Sequence, residues 1–248
     1  MTLEQFFAEN REVAIAFSGG VDSAYLLYAA TRYAARVKAY YVSTAFQPKF
    51  ELEDARRLAN ELGADMQVLH VDVLMSGAVT ANPSDRCYHC KNTLFRQILR
   101  AAENDGFPVL LDGTNASDDA GDRPGMRALR ELSVRSPLRE CGLTKAEIRR
   151  LSKEAGLFTW DKPAYACLAT RIRTGEEITL QKLKQTEKAE GFLFGLGFRD
   201  FRVRMVGNTA KLELREADLP LLLENREKIV TELRKDYDSV LLNLEVRK

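Results

Sequence analysis

The sequence predicts an α/β fold with a mostly parallel sheet covered by helices on both faces, followed by a small C-terminal α+β domain. Short apolar segments alternate with helical patterns along the first part of the chain, which indicates right-handed crossovers between parallel strands. After about Gly175 the order changes to helix, hairpin, helix and strand. At 248 residues the chain is long for one domain. We therefore predict a first domain over residues 1–174 and a second over 175–248.

The elements of the first domain follow from apolar runs and helix-start signals. Thr144, with Glu147 three residues later, forms a capping-box pattern that begins a helix. Short apolar runs without helical spacing predict buried strands. The predicted strands cover 12–17, 38–43, 65–73 and 108–112, and the predicted helices cover 21–35, 51–62, 88–103 and 144–155.

The second domain is predicted from a hairpin signal. Gly207 and Asn208 separate two alternating segments, 201–206 and 210–214, as in a tight turn between antiparallel strands. Helices are predicted over 179–194 and 217–233, and a last strand over 239–246.

Composition and charge limit the classes of partner. Hydrophobic residues make up 45% and charged residues 29% of the chain, as in a folded globular protein. Lys and Arg (37) nearly balance Asp and Glu (36), which argues against a large nucleic-acid footprint. No apolar run reaches the ~18–20 residues that span a bilayer, and the N-terminal segment lacks the pattern of a signal peptide. We expect a cytoplasmic protein that binds neither membrane nor nucleic acid.

A glycine-rich turn between the first strand and the first predicted helix is the main candidate site. Residues 18–23 read SGGVDS, and a helix N-terminus at such a turn presents N–H groups and a positive dipole to an anion. Gly19 and Gly20 let a phosphate approach the backbone. Asp22 is a candidate Mg²⁺ ligand. The turn lacks the lysine and the spacing of the Walker loop, so cleavage between β- and γ-phosphates is not its natural use.

The hexapeptide SGGVDS resembles the S-G-G-x-D-S signature of the PP-loop ATP pyrophosphatases. This resemblance implies an adenine nucleotide α-hydrolase-like, Rossmann-like domain that splits ATP into AMP and pyrophosphate to adenylate a carbonyl or carboxyl oxygen. A second turn, 112–115 (DGTN), follows another strand and is either a ligand contact or an ordinary Asx turn. The residues predicted to bind the nucleotide are Ser18, Gly19, Gly20, Asp22, Ser23, Ser43 and Gly113.

Four cysteines suggest a second chemical function. In an intracellular enzyme, the pair Cys87 and Cys90 indicates a metal or redox site more than a disulfide. The C-x-x-C spacing alone fits an iron–sulfur cluster, zinc or a redox dithiol that passes a persulfide to Cys167. A structural zinc site needs a fourth ligand, for which Cys141 and His89 are candidates. Cys141 lies in no motif, and we interpret it as structural.

Several separate motifs together resemble the LarE family, the PP-loop sulfur transferases that make the nickel-pincer nucleotide cofactor. The resemblance covers nearly the whole chain. Its motifs are SGGVDS, CYHC (87–90), DGTNASDD (112–119), RPGMRAL (123–129), RSPL (135–138), ACLATRI (166–172) and RVR (202–204).

The resemblance implies that ATP adenylates the carboxylate of a pyridinium carboxylate mononucleotide and that sulfur then displaces AMP to give a thiocarboxylate. In one branch of the family a lone cysteine, at the position of Cys167, is sacrificed as the sulfur donor. In the other, three cysteines hold a [4Fe-4S] cluster whose open iron carries an extra sulfide. This sequence has all three, Cys87, Cys90 and Cys167. The family also implies a homo-oligomer, such as a hexamer, and an unidentified sulfur donor.

The hairpin carries a candidate phosphate site. Arg202 and Arg204 alternate along a strand and so share a face, where arginine is well suited to bidentate phosphate contact. On the residues alone, a solvated strand face is the favoured explanation. The resemblance implies that they bind the substrate phosphate, and it adds Thr170, Arg171 and Glu213 to the same pocket; it also makes Cys167 and Asp22 the catalytic residues.

Three other functions remain as alternatives. A PP-loop tRNA thiolase would need a basic RNA-binding surface, which a net charge of +1 does not favour. A synthetase that uses ammonia would leave the three cysteines unexplained. A nucleotide sensor would bind ATP without releasing pyrophosphate.

Overall fold

The structure is a computed structural model that describes residues 1–118 and 124–247. The chain divides into two compact units, here called the first and second units. The first contains residues 1–73 and 85–164, and the second contains residues 74–84 and those from 165 onward. Residues 165–174 are thus grouped with the C-terminal part of the chain. The domain boundary at residue 174 stays a prediction.

The strands and helices have the following bounds. The strands are β1 Glu12–Ala16, β2 Arg36–Ser43, β3 Asp65–His70, β4 Val109–Leu111, β5 Arg202–Val206, β6 Thr209–Glu213 and β7 Ser239–Leu242. The α-helices are α1 Leu3–Glu9, α2 Val21–Tyr33, α3 Lys49–Glu61, α4 Gly77–Thr80, α5 Arg86–Asn104, α6 Pro124–Glu131, α7 Pro137–Glu140, α8 Lys145–Glu154, α9 Leu180–Gly195, α10 Leu219–Glu224 and α11 Arg226–Leu233. Short 3₁₀ turns cover Val73–Met75, Phe158–Asp161, Leu168–Arg171 and Glu216–Asp218.

The first unit is built on a parallel sheet with the strand order β3-β2-β1-β4. Successive residues of β1 enter different cores: Val13 and Ile15 pack in one hydrophobic cluster, and Ala14 packs in another. Helices α1, α2, α3 and α8 contribute to the first cluster and α5 contributes to the second. The predicted parallel α/β architecture is therefore confirmed. Because all four strands run the same way, their carboxyl ends lie at one edge of the sheet.

Local signals explain where most helices begin. Thr144 caps α8, accepting from the Glu147 backbone N–H while the Glu147 side chain accepts from Thr144, which confirms the predicted capping box. Thr2 and Gln5 form the same arrangement at α1, a helix that the polar composition of the N-terminal segment concealed. None of the described helices combines the length and the apolar character that a bilayer crossing requires.

The second unit has a three-stranded sheet in which β5 and β6 form the predicted antiparallel hairpin and β7 runs parallel to β6. The predicted helix 217–233 is wrong as one element, since it breaks at Asn225. The Asn225 side chain there donates to the Leu221 carbonyl at 3.0 Å and competes with regular helix geometry. The predicted strand 239–246 ends earlier, at Leu242.

Candidate functional site

The turn between β1 and α2 presents an uncapped helix N-terminus. Gly20 is the N-cap residue and no side chain caps α2, so the first N–H groups of the helix remain for an anion. Gly19 has φ +72°, and a Cβ there would lie 3.2 Å from the Ala55 Cβ on α3. Glycine is therefore required at position 19 for its backbone conformation and is favoured there by the close approach of α3.

Two serines hold the shape of this turn. The Ser23 hydroxyl donates to the Gly20 carbonyl at 3.2 Å and accepts from the Ser18 N–H at 3.3 Å. The two hydroxyl oxygens are 3.0 Å apart. Ser23 is buried, whereas Ser18 lines an open cleft. The turn is thus held in shape by its own hydrogen bonds.

Asp22 lies in the first turn of α2 with its two carboxylate oxygens in different surroundings. Oδ2 accepts from the Lys145 ammonium at 2.6 Å. Oδ1 is buried, and among the described residues it has no hydrogen-bond partner. Burial raises the pKa of Asp22, and Lys145 opposes this shift without cancelling it. A buried carboxylate oxygen without a donor is well suited to a cation, so the residues present fit Mg²⁺.

A cleft of about 340 Å³ lies at this edge of the sheet, a volume in the range of small-ligand sites. The lining combines the glycine-rich turn, the turn after β4 and one face of α5. The sequence interpretation missed Lys91, Phe95 and Asp118, since nothing in their local pattern indicates which way they face. The lining residues are Ala16, Ser18, Gly20, Asp22, Ser23, Lys91, Phe95, Asp112, Gly113, Thr114 and Asp118.

The turn that follows β4 is tightly hydrogen-bonded. Asp112 is buried and accepts from the Ser136 hydroxyl at 2.6 Å and from the Thr114 hydroxyl. Asn115 Oδ1 accepts from the Ser117 N–H at 2.8 Å, which is an Asx turn. The turn therefore serves as local structure and also lines the cleft. Of the motifs in this region, Asp119 and Arg123 lie outside the described residues.

Gly113 lies where the turn after β4 meets the start of α2. A Cβ at this position would lie 2.9 Å from the Ser23 backbone nitrogen and 3.1 Å from the Ser23 Cα. The absence of a side chain therefore lets the two cleft-forming turns approach each other.

Gly113→Ala should destabilise the protein, because the new methyl group meets backbone rather than a movable side chain. We expect a loss of about 1–3 kcal/mol in the free energy of unfolding, together with weaker ATP binding, measured by thermal melts and titration calorimetry. Gly191→Ala is the matched control, since Gly191 lies within α9 with no atom within 4 Å of the new Cβ. It should gain about 0.5–1 kcal/mol. Equal behaviour of the two variants would contradict the packing role of Gly113.

Asp22→Asn should raise stability while it abolishes catalysis. The raised pKa means that the folded protein holds the proton more tightly than the unfolded chain does, so stability is lost as pH rises from near 3.8 through the pKa of folded Asp22. Above that pH the variant should be more stable than the wild type by up to about 1 kcal/mol, because Lys145 is partly exposed and can be hydrated. Pyrophosphate release should fall at least about a hundredfold. Denaturation curves at pH 3 and pH 7 test the first claim; a variant less stable than the wild type at pH 7 would contradict it.

Ser43 lies at the carboxyl end of β2, in register with His70 of β3. This is the ligand-binding edge of the sheet, but Ser43 is not among the described residues that line the cleft. Its contact with nucleotide stays a prediction.

Cys87 and Cys90 belong to the first unit and lie in the first turns of α5. A spacing of three places them on one face of the helix. Cys87 is exposed, and the buried Arg86 guanidinium lies 3.8 Å from its sulfur. His89, a zinc-ligand candidate, instead has its Nε2 3.3 Å from the carboxylate of Asp85, the N-cap residue of α5.

Cys167 belongs to the second unit and precedes the 3₁₀ turn Leu168–Arg171. Thr170 fixes this turn, since its N–H and its hydroxyl both donate to the Cys167 carbonyl, at 2.9 and 2.8 Å. Within the described ranges no three Cys, His, Asp or Glu residues are grouped as metal ligands. Cys141 packs against the core of the first unit, where burial raises the pKa of its thiol.

Arg171 forms a buried bidentate ion pair with Glu190 of α9. Its Nε and Nη2 donate to the two Glu190 oxygens at 2.8 and 3.0 Å, and Nη1 donates to Thr170. Glu190 also accepts from the Val203 N–H at 2.9 Å and from the Tyr165 hydroxyl. Both charged side chains are almost fully buried. Arg171 thus orders the segment that carries Cys167, and its contact with substrate stays a prediction.

Arg202 and Arg204 lie on one face of β5, as their alternation predicts. Arg204 donates to Glu213 of β6 at 2.8 Å and to the Thr170 carbonyl at 2.6 Å, so the structure brings these three predicted residues together. Arg202 is buried beside the Tyr165 ring. Burial is the main cause that lowers the pKa of Arg202, and the positive charges of other arginines nearby lower it further. Arg202 also lies 3.7 Å from Asp200, and Arg171 and Arg204 are paired with Glu190 and Glu213, so these charges are already partly compensated and phosphate binding by Arg202 and Arg204 stays a prediction.

These features define a class of protein. A strand, a Ser-Gly-Gly turn and an uncapped helix N-terminus at the carboxyl edge of a parallel sheet form a PP-loop nucleotide-binding domain.

Comparison with known proteins agrees with this class. The family model described as asparagine synthase matches residues 4–117. An uncharacterized protein of Synechocystis sp. is 40% identical over 86% of this chain and 80% of its own length. The pyridinium-3,5-bisthiocarboxylic acid mononucleotide synthase of Lactiplantibacillus plantarum is 32% identical over 94% of this chain and 85% of its own length. A tRNA-specific 2-thiouridylase of Thermotoga petrophila is 26% identical over 59% of this chain and 52% of its own length.

The chain belongs to the LarE family of PP-loop, ATP-dependent sulfur transferases.

Proposed function

We propose that this enzyme adenylates the carboxylate of a pyridinium biscarboxylate mononucleotide with ATP and converts it to a thiocarboxylate for the nickel-pincer nucleotide cofactor. The observation that carries the proposal is the cleft of the first unit, in which an uncapped helix N-terminus and the buried carboxylate of Asp22 meet. The likeness of nearly the whole chain to a pyridinium-3,5-bisthiocarboxylic acid mononucleotide synthase supports the choice of substrate.

The cleft residues would carry the first step. A carboxylate oxygen of the substrate attacks the α-phosphorus of ATP, and the bond to the β-phosphate oxygen breaks to release pyrophosphate. The N–H groups at the start of α2 stabilise the negative charge that develops on the leaving pyrophosphate. Asp22 would hold Mg²⁺, which supplies charge neutralisation between the phosphates. Lys91 adds a positive side chain to the lining.

The second unit would orient the substrate. Arg202 and Arg204 would bind the substrate phosphate, and Glu213 holds the Arg204 guanidinium in place. Thr170 couples Arg204 to the Cys167 segment through its carbonyl. We therefore assign phosphate binding and presentation of Cys167 to one side-chain network within this unit.

The three cysteines would hold a [4Fe-4S] cluster. Thiolates are the ligands that such clusters require, and two of them lie on one face of α5. When bound, a cluster with three cysteine ligands supplies an open iron that can carry a transferable sulfide. Cys87, Cys90 and Cys167 would fix its position, and Arg86 would donate towards the Cys87 sulfur. In the second step a C–S bond would form at the acyl carbon of the adenylate while its C–O bond to AMP breaks. We propose that the enzyme works in the cytoplasm as a homo-oligomer, recharged by a separate sulfur donor.

The test is an anaerobic assay with ATP, Mg²⁺, sulfide and a pyridinium biscarboxylate mononucleotide. We expect AMP and pyrophosphate to form only when the mononucleotide is present, and the product to contain sulfur in place of a carboxylate oxygen by mass spectrometry. Unmodified tRNA replaces the mononucleotide in a parallel reaction. Thiolated tRNA without a thiocarboxylate product would overturn the proposal in favour of a tRNA thiolase.

A further inference from the structure

Lys145 places a cation against Asp22, the cleft-lining carboxylate that the proposed function assigns to magnesium. Its ammonium lies 2.6 Å from Asp22 Oδ2, with the Lys145 side chain 35% exposed and the Asp22 side chain 21% exposed. Among the described residues, the other Asp22 oxygen, Oδ1, accepts no hydrogen bond. Lys145 therefore partly neutralises the Asp22 carboxylate, since burial of this charge without a counter-ion would cost free energy.

The backbone of Lys145 is fixed although its side chain reaches solvent. It is the first residue of α8, directly after the Thr144 capping box. Its N–H donates to the Ser117 hydroxyl at 2.9 Å, which ties it to the turn after β4. The chain thus anchors this lysine at the cleft and leaves only the flexible four-carbon side chain to move.

We propose that Lys145 is a positioning residue that occupies Asp22 in the nucleotide-free enzyme and competes with the divalent metal for that carboxylate. The inference rests on the proposed function, because it takes the cleft to be the site of a metal–nucleotide complex. A divalent ion at Asp22 either displaces the ammonium from Oδ2 or lies within a few ångströms of it, and like charges at that distance repel. In both cases Lys145 lowers the affinity of the cleft for metal. Metal therefore binds well only together with the negative phosphates of a nucleotide.

The competition predicts a change in how strongly metal enhances nucleotide binding. The probe is α,β-methylene-ATP, which cannot be cleaved at the PP-loop position, and its affinity is measured by calorimetry with Mn²⁺ and with EDTA. In Lys145→Met the dissociation constant in EDTA divided by that in saturating Mn²⁺ should fall about three- to fivefold below the wild-type ratio, the magnitude of a partly exposed ion pair. Metal and nucleotide enhance each other's binding by the same factor, and in the wild type that factor includes the release of Asp22 from Lys145. Lys145→Arg keeps the charge and should keep the wild-type ratio.

Arg150→Met is the matched control, since Arg150 lies on the same helix and pairs with Glu154 at the surface. Its ratio should equal that of the wild type. If methionine at position 145 unfolds the protein, Lys145→Gln tests the same claim with a polar side chain. An unchanged or larger ratio in a folded variant that lacks the Lys145 charge overturns the role of Lys145 and leaves the proposed nucleotide site intact. Failure of the wild type to bind the analogue would overturn the proposed nucleotide site, and this inference with it.

Discussion

Cys87→Ala should abolish repeated sulfur transfer while it leaves adenylation intact. Cys87 lies on α5 of the first unit, on the same face as Cys90, and the cluster proposed here needs both thiolates. Removal of one ligand should reduce bound iron to a small fraction of the wild-type content and thiocarboxylate formation at least about a hundredfold. Cys87 does not line the cleft, so pyrophosphate release should stay within about twofold of the wild type. Iron content, product turnover and pyrophosphate release are measured on the same preparation.

Cys141→Ala is the control for the loss of a thiol. Cys141 packs against the core of the first unit and belongs to no cysteine motif. This variant should keep its iron and its turnover and lose only a little stability. Normal repeated sulfur transfer by Cys87→Ala would contradict the cluster mechanism. A single turnover per chain in both the wild type and Cys87→Ala would indicate that Cys167 itself is sacrificed.

Glu190→Ala should cause the largest loss of stability. The Glu190 carboxylate accepts from Arg171, from the Val203 N–H and from Tyr165, and the substitution leaves the Arg171 guanidinium buried without its counter-ion. Breaking such a pair costs about 3–5 kcal/mol. For a chain of this size that corresponds to a melting midpoint lower by about 6–20 °C. Calorimetry should show this loss of stability in the unfolding transition of the second unit.

Glu190→Gln keeps an acceptor oxygen and should lose less stability than Glu190→Ala. Glu61→Ala is the control for removal of a charge at the surface, because its pair with Arg57 on α3 is largely exposed. It should change the free energy of unfolding by less than about 1 kcal/mol. A Glu190→Ala variant that melts within the range of Glu61→Ala would show that the buried pair does not stabilise the unit.

The sequence was most informative where local chemistry decides structure. The Thr144 capping box, the Gly207 turn and the buried strands are each specified by a few neighbouring residues, and the structure confirms them. The break at Asn225 was not predicted, because an apolar helical pattern continues across it, whereas the Asn225 backbone departs from helical dihedral angles and its side chain bonds to the Leu221 carbonyl. Competition between a side chain and the helix backbone has no periodic signal.

The residues of the candidate site also fall into two groups: those that a sequence motif identifies and those that only the fold brings to the site. Gly19, Asp22 and the cysteines could be selected from motifs, because their chemistry depends on residue type and spacing. Lys91, which lines the cleft, and Lys145, which pairs with Asp22, could not be selected in this way, since each lies far along the chain from the glycine-rich turn. The family resemblance predicts Arg171 as a substrate contact, and the structure places it in a buried pair with Glu190. Long-range pairing of this kind depends on the three-dimensional fold.

The most direct test of the central claim is the content of iron and acid-labile sulfide per chain in protein purified without oxygen. The three-cysteine mechanism predicts about four iron atoms and at least about four sulfides per chain, with the visible absorption of a [4Fe-4S] cluster. Little iron after anaerobic reconstitution, with the protein folded and able to release pyrophosphate, would contradict it. The mass of Cys167 after turnover would then distinguish a persulfide relay from sacrifice of the cysteine.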